Sequence, residues 1–142
     1  MLPINAKATP IFIDQAFEKI TFLAHRRPKI NISNHGFCSL AEYRDGGIVL
    51  AHYAGNSEWE RHISGDEIVM IMEGETRLIL LQNGEEVVSF MPQGTLLVVP
   101  QNRWHRFESP KGVKLMAITP QPTDYSVEKN QLAKLANNCL AA

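Results

Sequence analysis

From Cys38 to Thr119 the chain is a succession of short apolar runs, each cut off by glycine, proline, asparagine or aspartate. The pattern predicts strands at 39–43, 48–54, 58–62, 67–73, 76–81, 86–90, 96–99, 104–108 and 113–119. Asn83-Gly84 between Leu81 and Glu86 is a tight-hairpin signal, because both positions of such a turn need positive φ. Many short strands with no helices between them restrict the fold to an all-β antiparallel sandwich or barrel.

The flanks read differently. Phe17, Ile20 and Leu23 recur at helical spacing after Asp14, a candidate N-cap, and Pro28 closes the segment. This predicts an N-terminal arm over 1–37 carrying a short helix at 14–24, then the barrel at 38–120. A tail at 121–142 follows, with a second short helix near 127–136. At 142 residues the chain is one domain, large enough to hold a core without disulfides. Cys38 and Cys139 form no CxxC pair and read as reduced thiols. A net charge of -1 gives no general attraction to nucleic acid or anionic lipid, so neither is an expected partner. Basic residues at 25–27 read as solvated surface. No apolar run reaches the roughly 20 residues a membrane span needs, and the N-terminus lacks a signal-peptide core. Cytoplasm is the expected location.

Against this apolar background the polar residues stand out. Glu60 and His62 are two apart on a strand, so they leave one face together. Glu67 opens the next strand, where a buried carboxylate is costly unless paired or metal-bound. His105 comes from a distant hairpin. Imidazoles and carboxylates converging from separate strands suit a divalent metal. The bland alternatives are core histidines satisfied by a carboxylate, and Glu67 paired with Arg61 or Arg103. Glu60 has three open roles: metal ligand, general base beside the metal, or partner of an arginine. His52 lines a pocket if Ile48, Leu50 and His52 face inward, and is otherwise a core histidine. Arg103 is placed to meet an anionic substrate at the barrel mouth, or is surface charge. Trp59 and Trp104 neighbour Glu60 and His105, so they should leave the opposite face, into a second layer or a subunit contact. Ile68, Met70, Met72, Ile79, Leu81 and Val98 alternate with the expected core, making the sheet apolar on both faces. Such a sheet needs cover from the terminal arms or a homodimer partner.

These spacings resemble the two motifs of the cupin superfamily. The first family motif is Gly, five residues, His-x-His, three or four residues, Glu, six residues, Gly. Here Glu60-x-His62 precedes Glu67 by four residues and Gly74 follows after six, while Gly55 stands one residue too near. The second is Gly, five residues, Pro-x-Gly, two residues, His, matched by Gly94, Pro100-Gln101-Asn102 and His105. The resemblance covers the central half of the chain. Two departures are visible. Asn102 replaces a glycine, which the left-handed conformation tolerates, and Glu60 replaces the first histidine.

The resemblance implies a cupin double-stranded β-helix, or jelly-roll barrel, of the small single-domain type. It also implies one divalent transition metal (Fe, Mn, Ni or Zn) held by His62, Glu67 and His105, with Glu60 as fourth ligand or acid–base group. His52 and Arg103 are the candidate substrate contacts. Two imidazoles and one carboxylate would suit ferrous oxygenase chemistry on a small polar molecule. Four ligands including Glu60 would suit a Lewis-acid isomerase, epimerase or lyase. The rivals are a non-catalytic ligand-binding or sensing cupin, and a metal-free scaffold.

Overall fold

A computed structural model of the chain describes residues 7–28 and 35–127. Its elements run α1 (Ile13–Glu18), β1 (Leu23–Arg26), β2 (Phe37–Tyr43), β3 (Gly46–Asn56), β4 (Trp59–His62) and β5 (Glu67–Gln82). They continue with β6 (Glu85–Pro92), β7 (Leu96–Val99), β8 (His105–Pro120) and β9 (Thr123–Ser126). The pairing is antiparallel except for β1 on β3. β8 lies between β3 and β5 for most of its length, and β6 and β7 extend β5.

Four expected strands merge into two. The segments at 67–73 and 76–81 are one strand, β5, and those at 104–108 and 113–119 are one strand, β8. Gly74 and Gly112 do not end the strands but bend them, both at positive φ, with the β5–β8 register shifting beside Gly74. The bend is large. His105 and Thr119, at opposite ends of β8, both hydrogen-bond the Glu67 carboxylate. Extended, the fourteen residue steps from one to the other would span about 46 Å, so β8 must roll back on itself and close the sheet around an interior. Asn83 and Gly84, both at positive φ, make the expected hairpin between β5 and β6.

Three apolar clusters divide the two faces. The interior packs Ala51, Tyr53, Val69, Ile71, Leu78, Met91, Val99, Phe107, Val113, Leu115 and Ala117. Outside, Ala16 and Phe17 of α1 cover Leu40 and Leu50. Trp59 and Trp104 cover Ile79 and Leu81, in the second layer the alternation implies. The terminal arm therefore does cover part of the outer face.

The N-terminal expectation needs correction. The helix is one and a half turns, not 14–24, and Asp14 lies in its first turn behind Phe12, which makes no side-chain cap. Leu23–Arg26 leaves the helix because β3 offers a free edge, to which it pairs in parallel. Likewise Thr123–Ser126 pairs with β4, so the sheet reaches beyond the 38–120 span on both sides. The expected C-terminal helix and Cys139 fall outside the described residues. Cys38 carries a free, half-buried thiol. Among the described residues no helix is long and apolar enough to cross a membrane.

Candidate metal centre

Glu60 and His62 project together from β4, and Glu60 sits directly opposite His105 on β8. Cross-strand partners have Cβ atoms about 5 Å apart, so register alone brings a carboxylate and an imidazole together. Glu67, opening β5 one loop later, completes the group. One ligand atom from each of Glu60, His62, Glu67 and His105 lies within 4.8 Å of the other three. All but Glu60 are buried.

Each ring is aimed by its far nitrogen. His105 Nδ1 donates to the Arg103 carbonyl at 2.9 Å, so Nδ1 carries a hydrogen and Nε2 faces the centre. His62 Nδ1 bonds the Thr123 hydroxyl at 2.9 Å, and that hydroxyl donates to Gln121 Oε1 at 3.2 Å. The ring nitrogen is therefore the donor to Thr123, again leaving Nε2 for the centre. The Thr119 hydroxyl donates to Glu67 Oε2 at 2.6 Å. Tying ligand imidazoles and carboxylates to outer polar partners is how proteins orient metal ligands.

The contacts toward the centre are crowded with acceptors. His105 Nε2 is 3.0 Å from Glu67 Oε1 and 3.3 Å from Glu60 Oε1. His62 Nε2 is 3.2 Å from Glu67 Oε2 but lacks hydrogen-bond geometry, leaving a buried nitrogen without a partner. Burial opposes charge on His105, yet hydrogen bonds and charge from Glu60 and Glu67 outweigh it and push its pKa up to about 10. Burial likewise opposes charge on Glu67, while the adjacent imidazoles hold it well below the usual carboxylate range. Two carboxylates and two imidazole nitrogens around one point call for positive charge there. The donors, mixed nitrogen and oxygen, fit a divalent transition metal.

A cavity of about 290 Å³ opens on this cluster. Glu60, His62 and Glu67 line it, together with Thr119, Gln121, Thr123 and Tyr125 from the end of β8 and from β9. Its remaining wall is largely apolar: Phe37, Val49, Ala51, Tyr53, Phe107, Leu115 and Ala117, with Arg26 from β1.

The likeness to solved structures agrees with this architecture. A cupin-2 domain protein from Shewanella frigidimarina superposes with a TM-score of 0.57 at 22% identity, over 78% of this chain and 94% of its own. The chain has the cupin fold. Hydroquinone 1,2-dioxygenase from Sphingomonas, solved with 4-hydroxybenzoate bound, superposes with a TM-score of 0.52 at 16% identity, over 71% of this chain and 74% of its own. In sequence, the uncharacterized Bacillus subtilis protein YdbB is 27% identical over 75 residues, 53% of this chain. The match spans 64% of that relative's length. No protein-family model matches the chain.

Within this cupin barrel both expected substrate contacts lie elsewhere. His52 is on the outer face, its ring 4.6 Å from that of Phe22, because Val49, Ala51 and Tyr53 are the inward residues of β3. The inward row of β3 is thus one residue out of phase with Ile48, Leu50 and His52. Arg103 does not line the cavity; its backbone carbonyl orients His105 instead. Arg61 pairs with Asp124 at 3.0 Å and not with Glu67. Asp66 accepts the Gln101 backbone N–H at 2.7 Å, tying the two motif turns together. Asn102 holds φ +65, where the family has glycine. The cavity's cation is Arg26, which sequence reasoning left on the surface.

Proposed function

We propose that this protein is a mononuclear metal-dependent enzyme acting on a small organic molecule. The observation that carries it is the convergence of His62 Nε2, His105 Nε2 and carboxylate oxygens of Glu60 and Glu67 within 4.8 Å, beside a cavity. His62, Glu67 and His105 would hold the metal, their side chains 4% exposed or less and each fixed from behind by a hydrogen bond. A bound divalent metal would supply Lewis acidity, and for iron or manganese also redox chemistry.

Glu60 has a different part. Its side chain is 17% exposed against 4% for Glu67, and it lines the cavity. We assign it proton transfer to and from a substrate seated there. Apolar walls exclude bulk water from that proton and orient the substrate's body. The Sphingomonas dioxygenase of the same fold, solved with 4-hydroxybenzoate bound, supports a small aromatic substrate for such a barrel.

The two carboxylates separate on substitution. Glu67→Gln is expected to weaken metal binding by at least the roughly 10- to 100-fold that loss of an outer hydrogen-bond partner costs. Glu60→Gln is expected to keep near-stoichiometric metal and to lose turnover by about 100-fold or more. Metal analysis, together with oxygen uptake and product screening over phenols, small acids and sugars, checks both. Equal metal loss in the two variants would make Glu60 a structural ligand.

A second reading has its own observation. The His105 contacts of 3.0 and 3.3 Å are also those of an imidazolium held between two carboxylates, the arrangement of a metal-free binding protein. Protein that takes up none of Fe, Mn, Ni or Zn would select it.

We also propose a homodimer through the outer sheet face. Among the described residues, Leu96 and Val98 on β7 are 57% and 48% exposed, and both pair with half-buried Met70 and Ile68 of β5. Val98→Lys is expected to shift a dimer toward monomer in sedimentation velocity. An unchanged dimer would place the contact elsewhere.

A further inference from the structure

The same cavity holds a second polar feature, within electrostatic reach of Glu60. Arg26 enters from β1 with its side chain only 9% exposed, and Glu58 holds its guanidinium at 3.2 Å. That guanidinium lies 4.4 Å over the Tyr53 ring and 4.9 Å over the Phe37 ring. The Tyr53 hydroxyl is fully buried, has Arg26 and Ser109 as polar neighbours, and makes no hydrogen bond of good geometry to either. A buried hydroxyl left unbonded costs about 1–3 kcal/mol, so the site is built for an acceptor.

We propose that the cavity takes a small monocarboxylate on an aromatic or compact branched body, its carboxylate bound by Arg26 and Tyr53. The opposite end of the molecule would then face Glu60. This names the substrate class for the metal-dependent reading above and rests on that reading only for the chemistry at the far end.

Charge and size narrow the class. Glu58 beside Arg26, with Glu60 and Glu67 in the cavity wall, already place three carboxylates around one guanidinium, so a ligand carrying one negative charge is favoured over one carrying two. This sets a carboxylate apart from a phosphate dianion. Arginine offers only donors, so it favours an acceptor such as a carboxylate over a neutral hydroxyl. The apolar walls suit a hydrocarbon body better than a sugar. At about 30 Å³ for each water-sized volume, the cavity holds a single substituted ring.

Calorimetric titration with benzoate, benzamide and phenyl phosphate tests this on the full chain, as purified and after chelation of metal. Benzoate is expected to bind about tenfold or more tightly than either of the others. Tyr53→Phe, which keeps the ring and its stacking, is expected to weaken benzoate about tenfold and the neutral acceptor benzamide by less. Arg26→Gln should abolish the discrimination; if that variant does not fold, Tyr53→Phe decides alone. Benzoate no tighter than benzamide, benzoate binding untouched by Tyr53→Phe, or no benzoate binding at millimolar concentration overturns the proposal. The metal reading fails separately: discrimination that persists in protein unable to take up metal would uphold the carboxylate site and remove the enzyme.

Discussion

Protein carrying His62→Gln and His105→Gln together is expected to fold but to retain less than about a tenth of a metal ion per chain, against about one in the parent. Both Nε2 atoms turn to one point while both Nδ1 atoms are held from behind. Removing them leaves only carboxylates, and two carboxylates alone bind transition metals far more weakly than the mixed set. Glutamine is the better replacement than alanine because Glu67 is buried and accepts from His105 as well as Thr119. Alanine would strip it of a donor at a cost of about 1–3 kcal/mol, confusing metal loss with unfolding. Elemental analysis beside a circular-dichroism melt separates the two effects. Full metal content in the double variant would place the metal elsewhere.

The second large effect concerns the fold. Gly74→Ala is expected to destabilise the protein by about 3 kcal/mol or more, and Gly84→Ala by only about 1 kcal/mol. Both glycines sit in the left-handed region, at φ +78 and +77, so the conformational penalty is shared. They differ in surroundings. A Cβ on Gly74 would collide with the Gly112 carbonyl oxygen, whereas one on Gly84 meets nothing within 4 Å. The clash falls on backbone at the bend of β5 against β8, which cannot move without opening the sheet around the site. Urea denaturation of the two variants measures the difference; equal losses would show that the close approach at Gly74 is not limiting.

The motif glycine is thus legible for a physical reason, and so is the cluster. Glu60, His62, Glu67 and His105 stand out because they interrupt an apolar alternation where burial is costly. The resemblance to cupin spacing rests on the same residues. Arg26 gave no such signal. It belongs to a basic run that reads as surface, and only the parallel pairing of β1 on β3 turns it inward. Thr119 continues the inward row Val113, Leu115, Ala117, so a hydroxyl at that row's end could have been noticed. Thr123 and Tyr125 could not, because they follow Pro120 and Pro122 in a segment that reads as irregular and becomes a strand only by pairing with β4. The side on which His52 lies was not legible. β3 is apolar on both faces, with Leu50 under α1 and Ala51 in the interior, and alternation cannot choose between two buried sides.

Crystals grown from protein loaded with one of Fe, Mn, Ni or Zn, with anomalous scattering recorded at that metal's absorption edge, would examine the four-residue cluster itself. A single strong peak among His62 Nε2, His105 Nε2 and the carboxylates of Glu60 and Glu67 is the expected result. No peak at that point, with the His105 ring still held between the two glutamates, would contradict the metal centre and leave a cupin barrel that binds its ligand without one.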